Sequence, residues 1–172
     1  MKLKNILILL TSVFLSVAVF TACKINYGFT SNTLSQTVKT FSISYFPNRA
    51  RLVNPTLSQQ FTDGLQEKLI KQTSLSQMTE GGDLEYSGQI TDYDVRPMNI
   101  SQGDIAAQNR LTIGVKVKYT NNKDHGQDWE KSFSAYEDFD SNSSLSAVED
   151  QLIPLITTKL TDDIFNASVA NW

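Results

Sequence analysis

Few side chains in this sequence are equipped for chemistry, and their placement narrows what that chemistry is. Among 172 residues there is one histidine, His125, and one cysteine, Cys23. His125 stands in the run Lys123-Asp124-His125-Gly126, which reads as a solvated turn and not as the seat of a general base. A zinc site of His and Cys ligands is excluded by count. The G-x-S-x-G, H-E-x-x-H and phosphate-loop patterns do not occur, so no enzymatic activity is expected. One metal pattern is present: Asp138, Asp140, Asn142, Ser144 and Glu149 fall at positions 1, 3, 5, 7 and 12 of a calcium-loop template. Ser143 stands where that loop requires glycine, and a strand precedes it. The competing reading is a polar strand-to-helix loop with an N-cap, and no metal is expected.

Lys116 and Lys118, helped by Arg110, Arg96 and Lys123, are suited to an anionic lipid head group. The plain alternative is a solvated sheet face, which spacing alone favours. The whole chain carries a formal charge of −3, and a mildly acidic domain argues against nucleic acid as a partner. Hydrophobic residues at 40% and aromatics at 10% argue against disorder.

Cys23 gains meaning from what precedes it. Lys2 and Lys4 are followed by a nearly apolar run over residues 6–20, then Phe20-Thr21-Ala22-Cys23. This is the charged, apolar and small-residue layout of a secretory signal. A lone cysteine at the cleavage point resembles a bacterial lipobox, although Phe20 is bulkier than the usual leucine. Residues 1–22 are therefore expected to be removed. Cys23 would then carry covalent N-acyl and S-diacylglycerol lipid, with no other cofactor. A transmembrane anchor needs about 18–20 apolar residues, and this run is shorter and broken by Thr11, Ser12 and Ser16. An ordinary secreted protein would leave Cys23 without a purpose, since no second cysteine exists to pair with it.

The elements that must position these groups follow from periodicity. Residues 23–36 read as a lipidated tether and 37–172 as one domain. Residues 38–46 (VKTFSISYF) read as a strand with Phe41, Ile43 and Tyr45 on one face. Asn54-Pro55 opens a helix whose apolar stripe is Leu57, Phe61, Leu65 and Leu69. Gly64 inside it is either tolerated or permits close approach to a sheet. Gly81-Gly82-Asp83 is a turn into a strand carrying Leu84, Tyr86, Gly88 and Ile90 and ending near Tyr93. Residues 94–108 read as a protruding polar loop. Residues 110–120 alternate cleanly, with Leu111, Ile113, Val115, Val117 and Tyr119 opposite Arg110, Thr112, Lys116 and Lys118. Residues 128–139 return as its hairpin partner, with Trp129, Phe133 and Ala135 in register. A last helix over 146–168 has Ser146 and Glu149 at capping-box spacing, Pro154 inside, and a stripe of Val148, Leu152, Ile156, Leu160 and Ile164. The order β-α-β-β-β-α predicts an α+β two-layer sandwich: about four strands, antiparallel or mixed, with both helices on one face.

Four segments carry a family resemblance: SISYFPNRARLVNPTLSQQFTDGLQEKL, GDLEYSGQITDYDVRP, AAQNRLTIGVKVKYTNNKDHGQDWEKSFS and LSAVEDQLIPLITTKLTDDIFNASVANW. Together they resemble the LptE family of lipopolysaccharide-assembly lipoproteins, in the form typical of the Bacteroidetes. The resemblance implies a non-enzymatic outer-membrane lipoprotein that faces the periplasm. It would plug and help assemble an LptD-like β-barrel, and bind lipopolysaccharide for delivery to the outer leaflet. Under that resemblance Arg96, Arg110, Lys116 and Lys118 are the candidate lipopolysaccharide-binding residues, and Phe46, Tyr93 and Tyr136 are either barrel contacts or core. Lys24, with no acidic run behind it, lacks the surface-export signal of some Bacteroidetes lipoproteins. A stand-alone periplasmic lipid-binding or envelope-associated lipoprotein stays open beside it, as does a calcium-stabilised or hydrolytic one.

Overall fold

The computed structural model describes residues 37–98 and 108–170. Cys23, the expected signal segment and the expected tether lie outside the described residues. The elements are β1 (Thr40–Ile43), α1 (Leu57–Gln72), β2 (Ser76–Met78), β3 (Leu84–Met98), β4 (Gln108–Asn121), β5 (Trp129–Asp140) and α2 (Leu145–Phe165). The five strands form one sheet in the order β2-β1-β3-β4-β5. β1 runs parallel to both neighbours, and β3, β4 and β5 are antiparallel. The sheet is mixed, and α+β is the observed class. β2 is the additional strand: three exposed residues are too few to register as a periodicity.

One face of the sheet is dry. Leu84, Tyr86 and Ile90 of β3 and Leu111, Ile113, Val115, Val117 and Tyr119 of β4 are buried there. They share one core with Leu57, Phe61, Leu65 and Leu69 of α1 and Ile153, Ile156, Leu160 and Ile164 of α2. Both amphipathic stripes thus cover the same sheet face, as their spacing requires. Asn54 caps α1: its Oδ1 accepts from the backbone N–H groups of Thr56 at 2.9 Å and Leu57 at 3.1 Å. Gly64 makes its close approach to α2 and not to the sheet; a Cβ there would lie 3.1 Å from Thr157 Cγ2.

Three expectations are corrected. The first strand is shorter than 38–46 and its face changes after Ile43. Pro47 has no N–H for a ladder, and the Phe46 N–H donates instead to Thr62 Oγ1 at 3.2 Å. Phe46 therefore turns into the core, edge-on to Phe61 at 5.0 Å, while Tyr45 faces solvent. Gly88 makes room for that ring, since a Cβ there would sit 2.7 Å from Phe46 Cε1.

The second strand does not stop near Tyr93 but continues to Met98. A register shift between Ile90 and Asp92 inserts an extra residue, so the buried positions change from even to odd numbers, ending in Tyr93 and half-buried Val95. That shift breaks the alternation on which the sequence reading relies. Residues 94–98 are strand and not loop, and 99–107 lie outside the described residues.

The capping box at Ser146 does not form. α2 begins at Leu145, Ser144 occupies the N-cap, and Glu149 is drawn away by Tyr93 and Asn54.

Candidate functional site

The second face of the sheet carries the charges. In β4 the positions on this face are Arg110, Thr112, Gly114, Lys116 and Lys118, of which Gly114 is covered and the rest are exposed or half-buried. Their register partners on β3 are Arg96, Asp94, Asp92, Gln89 and Ser87, and on β5 they are Asp138, Tyr136, Ser134, Ser132 and Glu130. The four residues singled out from the sequence do share this surface. They do not form one cationic patch, because each half of the face is organised differently.

At one end Arg96 lies directly across from Arg110. Arg110 is clamped to Asp138 by two hydrogen bonds, from Nε at 2.7 Å and from a terminal nitrogen at 2.9 Å. Its guanidinium also lies 3.6 Å from the centre of the Tyr136 ring, a cation–π contact. Arg96 Nε donates to Asp94 Oδ2 at 2.8 Å, and Arg51 approaches the other oxygen of the same carboxylate at 3.5 Å. The hydrogen bond from Arg96 holds the Asp94 carboxyl below its ordinary range, and that from Arg110 does the same for Asp138. Arg49 is anchored close by, its backbone N–H donating to Ile90 O at 2.9 Å. All four arginines of the chain thus gather at or beyond the bulge in β3.

Towards the other end Lys116 is ion-paired with Glu130, whose carboxyl that lysine holds low. Lys118 stands opposite Glu130 in register. Lys123 belongs to a separate clamp. Asp83 accepts from Lys123 Nζ at 2.9 Å and from the backbone N–H groups of Lys39 at 2.8 Å and Thr40 at 3.0 Å. Those bonds, the lysine's first, hold the Asp83 carboxyl far below its ordinary range. Between the two ends Asp92 folds over Gly114; a Cβ on that glycine would come within 2.7 Å of Asp92 Oδ2.

The other candidates are employed elsewhere. The calcium template is not assembled: Asp138 is held by Arg110, while Glu149 Oε2 accepts from Tyr93 at 2.6 Å and Asn54 at 3.0 Å. No cluster of three metal-ligating side chains occurs among the described residues. His125 sits in an exposed turn with Nδ1 3.0 Å from Asp128 Oδ2. Of the three aromatics weighed as barrel contacts, Phe46 and Tyr93 are core, and only Tyr136 is exposed, at 46%. No helix among the described residues is long and apolar enough to cross a membrane.

Sequence reasoning did not single out Arg49, Arg51 or the Tyr136–Arg110 contact. A signal for the first two was available: Asn48-Arg49-Ala50-Arg51 places two guanidiniums at alternate positions beside a strand.

Comparison with known proteins agrees with this architecture. A family model described as LptE, lipopolysaccharide-assembly, matches residues 38–168. No curated protein sequence matches. Among solved structures, a minor lipoprotein from Acinetobacter baumannii is similar at a TM-score of 0.51 and 14% identity, covering 77% of this chain and 94% of that one. Protein XCC0632 from Xanthomonas campestris is similar at 0.50 and 13%, covering 77% and 86%. The hypothetical protein CT253 from Chlamydia trachomatis is similar at 0.50 and 9%, covering 74% and 94%. At such identities these likenesses show the fold alone.

Proposed function

The chain belongs to the LptE lipopolysaccharide-assembly family, and we propose that it is the lipoprotein subunit of the lipopolysaccharide translocon. In this reading lipid on Cys23 holds it to the periplasmic side of the outer membrane. The domain over residues 37–172 seats as a plug in an LptD-like β-barrel and assists its assembly. It binds lipopolysaccharide on the open sheet face and passes it towards the outer leaflet. It works by binding and not by catalysis. The family match across residues 38–168 carries the reading.

The division of the sheet supports it. Helices cover most of one face, while the other presents guanidiniums, ammoniums and the exposed ring of Tyr136 to whatever lies alongside. A stand-alone carrier of acyl chains would need an apolar cavity. Among the described residues, the cleft of about 270 Å³ between α1 and α2 is walled by Lys68, Lys71, Thr157, Thr161 and Asp162, which suits no hydrocarbon chain.

Affinity purification of the tagged, lipidated protein from native membranes, with mass spectrometry of what accompanies it, tests the reading. A large β-barrel protein in near-stoichiometric amount is the expected result. Recovery of the protein alone, or with lipid only, would move the function to an independent envelope lipoprotein.

A further inference from the structure

The sheet has two edges, and they are finished differently. β2 closes one with 3 residues, too short to template another strand. β5 closes the other with 12, and it carries neither a proline nor a bulge.

Which backbone groups of β5 are open follows from the pairing. Ser44 N–H donates to Tyr86 O and Ile90 N–H to Pro47 O, so even-numbered residues at this end of β3 face β1 and odd-numbered ones face β4. Ser87 pairs with Lys118, so Lys118 faces back to β3, and its neighbours Val117 and Tyr119 face β5. Their partners there are Lys131 and Trp129, which leaves Glu130, Ser132, Ser134 and Tyr136 with N–H and C=O groups turned outward. Lys159 of α2 agrees with this parity: its Nζ donates to Tyr136 O at 3.1 Å and pairs with Glu137 at 2.8 Å. That lysine seals the second half of the edge. Over Glu130, Ser132 and Ser134, all exposed, no described residue meets the outward backbone groups.

The side chains along the open half specify what fits there. Trp129, Lys131 and Phe133 stand in a row on the helix side of the sheet. The Trp129 and Phe133 rings meet edge to face at 5.8 Å, half-buried, and extend the Tyr119 stack to the rim. Lys131 lies between them, exposed, 5.2 Å from the centre of the Trp129 ring, and meets no carboxylate among the described residues.

We propose that β5 over Glu130–Ser134 accepts an added strand from a partner protein, an extended segment with an aspartate or glutamate between two apolar residues at alternate positions. The acid pairs with Lys131, the apolar residues cover Trp129 and Phe133, and main-chain bonds to the open rungs supply the affinity. A second copy of this chain does not fit. In antiparallel pairing of β5 with itself, odd positions oppose odd positions, and the only acid at an odd position is Glu137, which Lys159 holds on the sealed half. The inference goes beyond the translocon reading, which the co-purification above tests by itself.

The test replaces Ser134 with a photoreactive residue in the full-length lipidated protein, irradiates native membranes and sequences the crosslinked peptide by mass spectrometry. It is repeated with Ser132→Pro, which removes one outward N–H and spares the ladder to β4, and with Lys131→Glu, which reverses the charge in the middle of the row. Circular dichroism checks that each variant is folded; should Ser132→Pro not fold, Lys131→Glu decides. The expected adduct is a segment of another protein with an acid between two apolar residues at alternate positions. Its yield should fall about tenfold or more in Ser132→Pro and about fivefold in Lys131→Glu. An adduct to a segment without that alternation, or to a second copy of this chain, would overturn the inference. So would the absence of any protein adduct, or a yield unchanged in the folded variants. The translocon reading survives each of these results if a barrel co-purifies, and fails separately if none does.

Discussion

The lysine end and the arginine end of one sheet face carry similar numbers of cations yet are put to different use. Near the start of the domain two cations are paired, while Lys118 is exposed on the same face. Lys123 meets Asp83, which also ties down the backbone of Lys39 and Thr40. Lys116 is closed off by Glu130. About 40 Å further along β3, at 3.3 Å per residue, the guanidiniums of Arg51 and Arg96 are positioned but not consumed. Counting charges would treat the two ends as equal. What separates them is the shape of the donors: compact ammoniums at one end, planar guanidiniums at the other.

Substitutions of decreasing effect sharpen this contrast, beginning with the core on which both ends rest. Phe46→Ala removes a fully buried ring packed on Phe61 and beside Gly88. It should cost about 3–5 kcal/mol in chemical denaturation, lowering the stability of both ends together. Asp83→Asn should cost about 2 kcal/mol, because the charge-assisted bonds to Lys39, Thr40 and Lys123 weaken together.

The same variant should change the acid limb of the stability curve. The folded-state pKa of Asp83 is depressed, so the stability it confers is fully present above the ordinary carboxylate range near pH 4. It is lost as pH falls towards the folded value. Denaturation of wild type and Asp83→Asn between pH 7 and pH 2 should therefore converge on the acid side. Parallel curves would remove Asp83 from its structural role.

Tyr93→Phe deletes the donor to Glu149 on the dry side and should cost about 1 kcal/mol. Asp94→Asn, at the exposed arginine end, should leave the thermal midpoint unchanged, since surface ion pairs contribute little to stability. A drop comparable to that of Asp83→Asn would mean that both ends are structural, and the contrast between them would collapse.

Much of this architecture is legible in the sequence, for identifiable reasons. The stripe Leu57, Phe61, Leu65, Leu69 and the alternation from Leu111 to Tyr119 are uninterrupted, so each gives both the element and its buried face. What fails to show is whatever interrupts a period. The bulge after Ile90 reverses the parity of β3, so Asp94 and Arg96 read as loop although they are open-face strand positions. Pro47 turns Phe46 inward at the point where alternation assigns the core to Tyr45.

The candidate site is legible only in part, because partnership is a property of register. Lys116 and Arg110 both look like free cations in one dimension. Only the pairing of β4 with β5 brings Glu130 to the first and Asp138 to the second. Arg51 belongs to the site through contact with a residue 43 positions away, Asp94, and no local pattern encodes that.

The most direct test of lipopolysaccharide binding on the open sheet face is site-specific photocrosslinking in native membranes. A photoreactive residue would replace either Gln108, on the open face beside Arg110, or Ser132, opposite Lys116. The expected result is a lipopolysaccharide adduct at position 108, at position 132 or at both. An adduct at neither position in a strain whose translocon is assembled and active would contradict lipopolysaccharide binding on the open sheet face.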